Sequence, residues 1–236
     1  MVKAIFFDMD GTLLPLDFHL FFQKYMQLIT PYFKDIVDPQ IFYHHLMLST
    51  EEMIKNSGAR TNEIVFMEKF LPGIEQKEEI VYPLLEKFYR EEFVKLKEHV
   101  GYSHLAAQIV EAAVDKGYSI ILATNPVFPR LAIRHRMSWA GIDQFPWLFV
   151  TSYENCCTCK PNPEYYREIC TRLQIQPEEC LMVGNDVQED LVAGTIGMKT
   201  FLVTDYLIDR GRPQYIPNYK GNLKELHWFM HALPSA

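Results

Sequence analysis

Five short apolar runs recur along the chain, and each is separated from the next by residues with helical periodicity. The runs are Ala4–Phe7 and residues 119–123, 147–150, 180–183 and 200–203. Runs this short and this continuously apolar are typical of strands in a parallel sheet that is covered on both faces. Strands that alternate with helices build a doubly wound fold. The sequence therefore predicts an α/β fold with a three-layer core and a parallel sheet.

The segments between the later runs contain residues that favour helix ends. Asn162 and Pro163 form a cap and a first turn, and they predict a helix over residues 164–173. Residues 191–196 predict another helix, which Gly197 ends. Helices and strands therefore alternate through the second half of the chain.

Residues 16–100 break this alternation, because they carry helical periodicity and no strand signal of comparable strength. We therefore predict an inserted all-helical domain over residues 16–100, whereas residues 1–15 and 101–236 form the core domain. Asp17 is the predicted cap of the first inserted helix. We interpret the apolar stripes of this segment as helix-packing core in preference to substrate contacts. The stripes consist of Phe18, Phe21, Phe22, Tyr25 and Ile29, then Ile64, Met67 and Leu71, then Ile80, Leu84, Leu85 and Phe88.

Composition excludes several classes of protein. The formal net charge is −7, which argues against a broad nucleic-acid-binding surface. No apolar stretch is long enough for a signal peptide or a membrane span, so we expect a cytoplasmic protein with no membrane partner. The five cysteines cluster in residues 156–180 without the spacing of a zinc site, and we expect reduced thiols.

The first polar cluster is Asp8-Met9-Asp10-Gly11-Thr12, directly after the first predicted strand. Active sites of open α/β sheets lie outside the carboxyl ends of the strands. Asp8 could act as a carboxylate nucleophile that forms an aspartyl-phosphate. Asp10 could donate a proton to the leaving group and then accept one from water. The alternative is that both carboxylates only cap a loop.

Two further clusters follow later strands. Thr124 and Asn125 come after residues 119–123, and a hydroxyl with nearby backbone N–H groups can hold a phosphoryl group. Lys160 could neutralise Asp8 and the phosphoryl oxygens, which would otherwise repel each other. Taken alone, Thr124 and Asn125 are ordinary turn residues and Lys160 is an ordinary surface lysine.

The fourth cluster, Asp186 with Asp190, follows the strand at residues 180–183. Carboxylates beside Asp8 would create a hard-oxygen site suited to Mg²⁺. The alternative is a helix N-terminus that attracts acidic residues such as Glu189.

Together, these clusters resemble the four motifs of the haloacid dehalogenase-like (HAD) hydrolase superfamily, in the same order along the chain. Residues 6–14 match the first motif throughout, and Thr124 and Lys160 match the second and third. Asp186 and Asp190 match the fourth. The resemblance implies a Rossmann-like core.

The resemblance also implies an essential Mg²⁺, bound by Asp8, by the backbone carbonyl of Asp10 and by Asp186, with Asp190 supporting the metal through water. Many relatives place an acidic residue directly after the glycine of the fourth motif, where this chain has Asn185. Which of Asp186, Glu189 and Asp190 contacts the metal directly therefore stays open.

The inserted helical segment resembles the helical cap that closes over the active site in this family and selects the substrate. Pro15-Leu16 and residues 99–103 would be its hinges. The resemblance favours a phosphatase acting on a small phosphorylated metabolite, because dehalogenase relatives lack an aspartate at the position of Asp10. The alternatives are a phosphomutase acting on a sugar phosphate and a non-catalytic interaction domain. Either a monomer or a homodimer is compatible with the sequence.

Smaller signals carry less weight. His227 and His231 lie four residues apart on a predicted helix, and we interpret them as surface or packing residues. Residues 134–136 and 210–212 contain paired arginines that could recruit anionic groups, but a solvated face is the favoured interpretation. We interpret residues 205–221 as loop.

Overall fold

The computed structural model describes residues 1–236 and contains one sheet of six parallel strands. The strands are β1 (Ala4–Phe7), β2 (Ser119–Leu122), β3 (Phe149–Val150), β4 (Cys180–Gly184), β5 (Lys199–Val203) and β6 (Tyr219–Gly221). Their order across the sheet is β3-β2-β1-β4-β5-β6. This confirms the predicted α/β fold. It also corrects the interpretation of residues 205–221 as loop, because the last three of them form an edge strand.

The chain also contains eight α-helices. They are α1 (Phe18–Phe33), α2 (Pro39–Ile54), α3 (Asn62–Gly73), α4 (Glu78–Glu91), α5 (His104–Asp115), α6 (Arg130–Ala140), α7 (Pro163–Leu173) and α8 (Leu223–Ala232). Three 3-10 helices cover Phe93–His99, Pro177–Glu179 and Leu191–Ile196. The predicted helix at residues 191–196 is therefore a 3-10 helix, although it ends at Gly197 as expected. None of the helices combines the length and apolar character needed to cross a membrane.

The central strand β1 is buried on both faces. Ile5 and Phe7 belong to one hydrophobic cluster, while Ala4 and Phe6 belong to another on the opposite face. Phe7 is in register with Leu122 of β2 and with Val183 of β4. Because these three strands end at the same level, the residues that follow them meet at one edge of the sheet.

Helices α1 to α4 and the 3-10 helix Phe93–His99 all lie between β1 and β2 along the chain. Asp17 caps α1 by accepting a hydrogen bond of 3.1 Å from the Leu20 amide, as predicted. The two connections between the helical segment and the sheet run side by side, since the Gly101 amide donates to the Pro15 carbonyl at 2.7 Å. The division of the chain at residues 15/16 and 100/101 stays a prediction.

A buried asparagine joins α3 to the loops at the edge of the sheet. The Asn62 amide nitrogen donates to the carbonyls of Pro126 and Thr158 at 3.2 and 3.3 Å. Its amide oxygen accepts from Asn56 at 2.9 Å, and its backbone N–H donates to Cys156 at 2.9 Å. Asn62 is completely buried, so these bonds fix the position of α3 against the sheet domain.

Candidate active site

A cavity of about 130 Å³ opens at the carboxyl ends of β1, β2 and β4. It is lined by every side chain that the sequence predicted for the site except Lys160, which lies buried beneath it. The lining residues are Asp8, Asp10, Phe18, Thr124, Asn125, Val127, Phe128, Asn185, Asp186, Glu189, Asp190, Ile208 and Arg210.

Lys160 lies between two carboxylates. Its Nζ is 2.8 Å from Asp8 Oδ1 and 2.6 Å from Asp190 Oδ1, and its side chain is 1% exposed. Burial by itself lowers the pKa of Lys160, but the carboxylates of Asp190 and Asp8 outweigh it and hold the pKa well above its ordinary value. Lys160 is therefore a permanent cation directly below Asp8.

Both oxygens of the Asp8 carboxylate are oriented by neighbours. The Thr12 hydroxyl lies 3.1 Å from Asp8 Oδ2, opposite the oxygen that contacts Lys160, and 2.9 Å from Asn185 Oδ1. Thr12 was not among the predicted site residues. Its position in the Asp8–Thr12 run was the signal that could have identified it.

Asp190 holds Lys160 and also orders the loop of the fourth cluster. Its Oδ2 accepts a hydrogen bond of 2.9 Å from the Asp186 amide. Burial raises the pKa of the Asp190 carboxyl to about 7, although the Lys160 ammonium acts in the opposite direction. A Cβ at Gly184 would lie 2.0 Å from Asp190 Oδ2, so this packing requires glycine at the end of β4.

Arg136 was predicted to lie on a solvated face, and this prediction is wrong. Its side chain is 1% exposed, lies over the Phe128 ring at 4.6 Å and forms an ion pair with Asp10 Oδ2. The reason is helical position, because Ala132 and Ala140 of α6, four residues before and after it, are buried too. That spacing was the signal in the sequence.

Asp10 is the second carboxylate at the end of β1. Burial raises its pKa, while the Arg136 guanidinium lowers it and the Asp8 carboxylate raises it further. Its Oδ1 is buried and has no hydrogen-bond partner. A carboxyl group with a raised pKa and an unbonded oxygen beside Asp8 has the chemistry of a proton donor.

Arg210 lies on an exposed face, as predicted, but its guanidinium also pairs with carboxylates of the site. Its Nη1 lies 2.7 Å from both oxygens of Asp186, and its Nη2 lies 3.5 Å from Glu189. An isolated bridge between Asp186 and Ile208 brings the segment that carries Arg210 against the site. No local pattern predicts this contact, because it depends on how residues 205–216 return to the end of β4.

Thr124 and Asn125 follow β2 and lie on the wall of the cavity. The Thr124 carbonyl accepts hydrogen bonds from the hydroxyls of Tyr165 at 2.9 Å and Thr151 at 2.8 Å, which fix the end of the strand. The Asn125 amide donates to Glu189 at 3.2 Å, and its amide oxygen is buried without a partner. Burial raises the pKa of Glu189.

The carboxylates of this cavity provide hard oxygen donors of the kind that Mg²⁺ prefers. As the side chains stand, no three of them converge on one point as metal ligands. The reason is that Lys160 pairs with Asp8 and Asp190, while Arg210 pairs with Asp186. The Arg210 side chain is 51% exposed, so it can leave Asp186 without opening the core.

The charge of the cavity also fits a divalent cation. Its five carboxylates are paired with only three cationic side chains, so an incoming anion meets an excess of negative charge. A metal held by Asp8 and Asp186 would offset that excess. Outside this cavity, the Nε2 atoms of His227 and His231 lie 3.1 Å apart on α8, and no metal-ligating cluster forms there. The five cysteines are unpaired.

Residues 2–195 match the family described as haloacid dehalogenase-like hydrolase. The protein YhcW of Bacillus subtilis strain 168, provisionally named a phosphatase, is 26% identical over 206 residues, which are 86% of this chain and 84% of YhcW.

Two solved structures are similar over their whole lengths. A HAD phosphatase from Thermococcus onnurineus has a TM-score of 0.62 at 18% identity, with 100% of both chains covered. L-2-haloacid dehalogenase from Xanthobacter autotrophicus, with chloropropionic acid covalently bound, has a TM-score of 0.59 at 14% identity, with 99% of this chain and 100% of that chain covered. These two likenesses show the fold. The family match over most of the chain shows more: the chain belongs to the haloacid dehalogenase-like hydrolases.

Proposed function

We propose that this hydrolase is a Mg²⁺-dependent phosphatase that removes the phosphoryl group from a small phosphorylated metabolite. The observation that carries the proposal is the setting of Asp8. Lys160 and Thr12 orient its two oxygens at the floor of the cavity, and Asp10, a carboxyl group with a raised pKa, lies two residues away. A nucleophile next to a proton donor is the pair that phosphate-ester hydrolysis requires.

The reaction runs in two steps. In the first, an Asp8 oxygen attacks phosphorus, the bond from phosphorus to the ester oxygen breaks, and Asp10 protonates the departing alcohol. In the second, Asp10 accepts a proton from water as the water attacks phosphorus. The bond from phosphorus to the Asp8 oxygen breaks, inorganic phosphate leaves, and the Asp8 carboxylate is regenerated.

The remaining residues bind the phosphoryl group and neutralise its negative charge. Lys160 offsets the repulsion between the Asp8 carboxylate and the phosphoryl oxygens, which are both anionic. Thr124 and Asn125 line the cavity and would donate hydrogen bonds to those oxygens, Asn125 by exchanging its contact with Glu189. Asp190 acts through Lys160, whose ammonium it holds at 2.6 Å.

Asp8, the backbone carbonyl of Asp10 and Asp186 would hold the Mg²⁺, with Asp190 behind them. When bound, the ion supplies positive charge to the phosphoryl oxygens and orients them in the cavity. Helices α1 to α4 would act as a cap that excludes water, since Phe18 of α1 already lines the cavity.

Asp10 favours a phosphatase over a dehalogenase for a chemical reason. A halide leaves as a stable anion and needs no proton, whereas the alcohol of a phosphate ester leaves readily only when it is protonated. A buried carboxyl group with a raised pKa beside the nucleophile serves the second reaction.

Phosphate release from a panel of phosphorylated sugars, nucleotides, small acids and simple alcohols tests the proposal, with Mg²⁺ and with a chelator. We expect metal-dependent release that Asp8→Asn abolishes while the far-UV circular dichroism spectrum stays unchanged. If the folded, metal-loaded protein releases no phosphate but isomerises a sugar phosphate, it is a phosphomutase. If it does neither and releases halide from a 2-haloacid, the phosphatase proposal is overturned.

A further inference from the structure

A second cavity adjoins the active site between the helical segment and the sheet. It has a volume of about 300 Å³, and twelve of its fifteen lining residues are hydrophobic. Helices α1 to α4 provide most of its wall, including Phe22, Leu46, Phe66 and Leu85. It shares with the active-site cavity the wall residues Phe18, Asn125, Val127, Phe128 and Glu189.

The two cavities adjoin along this shared wall, so one ligand can extend from the first cavity into the second. Asn125 and Glu189 stand at the junction, with the Asp8 and Asp10 carboxylates on the other side. A phosphoryl group bound at Asp8 would therefore direct the alcohol part of the same molecule into the second cavity.

Apart from its tyrosine hydroxyls, the second cavity has three polar side chains: Thr50, whose hydroxyl is bonded to the Leu46 carbonyl, and Asn125 and Glu189, which it shares with the active site. It has no lysine or arginine, and Glu189 is its one charged residue. The hydroxyls of Tyr25 and Tyr89 are bonded to each other at 2.9 Å. A sugar placed here would lose its hydrogen bonds to water and replace few of them, which disfavours binding.

We infer that the substrate is a phosphate monoester of an apolar ring alcohol, whose ring occupies this second cavity. The inference rests on the proposed phosphatase function and narrows it. Aromatic and aliphatic walls favour an apolar ring because its surface leaves water without losing hydrogen bonds. It also modifies the interpretation of the helical stripes as core, because Phe18, Phe22 and Tyr25 of the first stripe line the cavity.

A matched pair of esters tests the inference. Cyclohexylmethyl phosphate and glucose 6-phosphate both carry a primary phosphate ester on a saturated six-membered ring, and they differ in the ring hydroxyls and ring oxygen. We expect kcat/KM to be at least about tenfold higher for the cyclohexylmethyl ester, within the range that a single pocket contact can discriminate. An equal or higher value for glucose 6-phosphate would overturn the inference.

Two substitutions on α2 test whether the second cavity causes the preference for the cyclohexylmethyl ester. Ile54 lines the second cavity and is 40% exposed, whereas Ile41 lies on the same helix, is 47% exposed and lines neither cavity. Ile54→Gln should lower the preference for the cyclohexylmethyl ester by about fivefold, because it replaces apolar wall with an amide. Ile41→Gln should leave the preference unchanged. Equal effects of both substitutions, or none, would contradict the assignment.

A binding measurement tests the assignment of the second cavity independently of the proposed phosphatase activity. Calorimetry with Asp8→Asn protein, Mg²⁺ and cyclohexylmethylphosphonate measures occupancy without turnover, with glucose 6-phosphate as the polar ligand. If neither ester is hydrolysed but the phosphonate binds more tightly and Ile54→Gln weakens it, the phosphatase proposal fails and the assignment of the cavity stands. If phosphate is released but this preference is missing, the assignment fails and the phosphatase proposal stands.

Discussion

The three cationic side chains that pair with the site carboxylates differ in how freely they can move. Lys160 and Arg136 are both 1% exposed, so their contacts with Asp8 and Asp10 are fixed by the core. Arg210 is 51% exposed and holds Asp186 from a surface segment. The proposed nucleophile Asp8 and the proposed proton donor Asp10 therefore have fixed partners, whereas the proposed metal ligand Asp186 has an exchangeable one.

The pairing of Arg136 with Asp10 predicts a pH effect. The guanidinium lowers the pKa of Asp10 against the effect of burial, so Arg136→Met should let that pKa rise. Because the proton donor must be protonated, the alkaline limb of the kcat profile should move to higher pH. The control is Arg134→Met on the exposed face of the same helix. An alkaline limb that stays in place, or moves to lower pH, contradicts the role given to Asp10.

The pairing of Arg210 with Asp186 predicts an effect on metal affinity. Arg210→Gln removes the competitor for Asp186, so Mg²⁺ should bind more tightly by up to about fivefold, the worth of a half-exposed ion pair. Isothermal titration calorimetry measures this directly. The control is Arg212→Gln, which changes an exposed arginine of the same segment. This variant should bind Mg²⁺ with the same affinity as the unaltered protein. Weaker binding by the Arg210 variant would show that Arg210 supports the metal site instead.

Among the inserted helices α1 to α4, α3 makes the most hydrogen bonds to the loops that follow β2 and β3. Asn62 stands at its first turn and makes side-chain bonds to Pro126 and Thr158, which lie in two different loops beside the active site. This attachment keeps the N-terminal end of α3 in place against the loops beside the active site.

Removing this attachment should destabilise the fold. Asn62→Ala leaves buried carbonyls without their donor, and we expect the free energy of unfolding to fall by about 1–3 kcal/mol. Urea denaturation followed by circular dichroism measures the change. Lys69→Ala, at an exposed position of α3, should change it by less than about 0.5 kcal/mol. Comparable losses for both variants would mean that α3 is held by packing alone.

The elements that the sequence predicts are those with a strong local signal. The buried strands before Asp8 and Asn185 and the caps at Asp17 and Asn162 depend on a few adjacent residues, and the structure has them. Strand β6 has no such signal, because three largely exposed edge residues carry no apolar run. The contact between Arg210 and Asp186 is even harder to predict from the sequence, since only tertiary structure brings the two segments together.

For the whole molecule, the sheet gathers the four polar clusters, and the helical segment covers the edge at which they meet. Each of the five site carboxylates already contacts a cationic side chain, so we expect the fold to form without the metal, although a net negative charge remains in the cavity. Folding and catalysis should therefore respond differently to metal removal.

Chelation provides the test. With excess chelator, phosphate release should stop, while the far-UV circular dichroism spectrum stays the same. Saturating Mg²⁺ at 100 times its Kd should stabilise the protein by about 2.7 kcal/mol, seen as a rise in Tm. Restored activity on adding Mg²⁺ back is the control. Loss of the spectrum on chelation would show that the metal holds the fold as well as the substrate.

In the proposed mechanism, Asp8 itself receives the phosphoryl group. Rapid acid quenching during turnover, followed by mass spectrometry of the peptide that contains Asp8, measures this directly. We predict a mass increase of one phosphoryl group on Asp8, which hydroxylamine removes and which Asp8→Asn protein lacks. Turnover of a phosphate ester with an unmodified Asp8 peptide at every quench time, or with the phosphoryl group on another residue, would contradict the account.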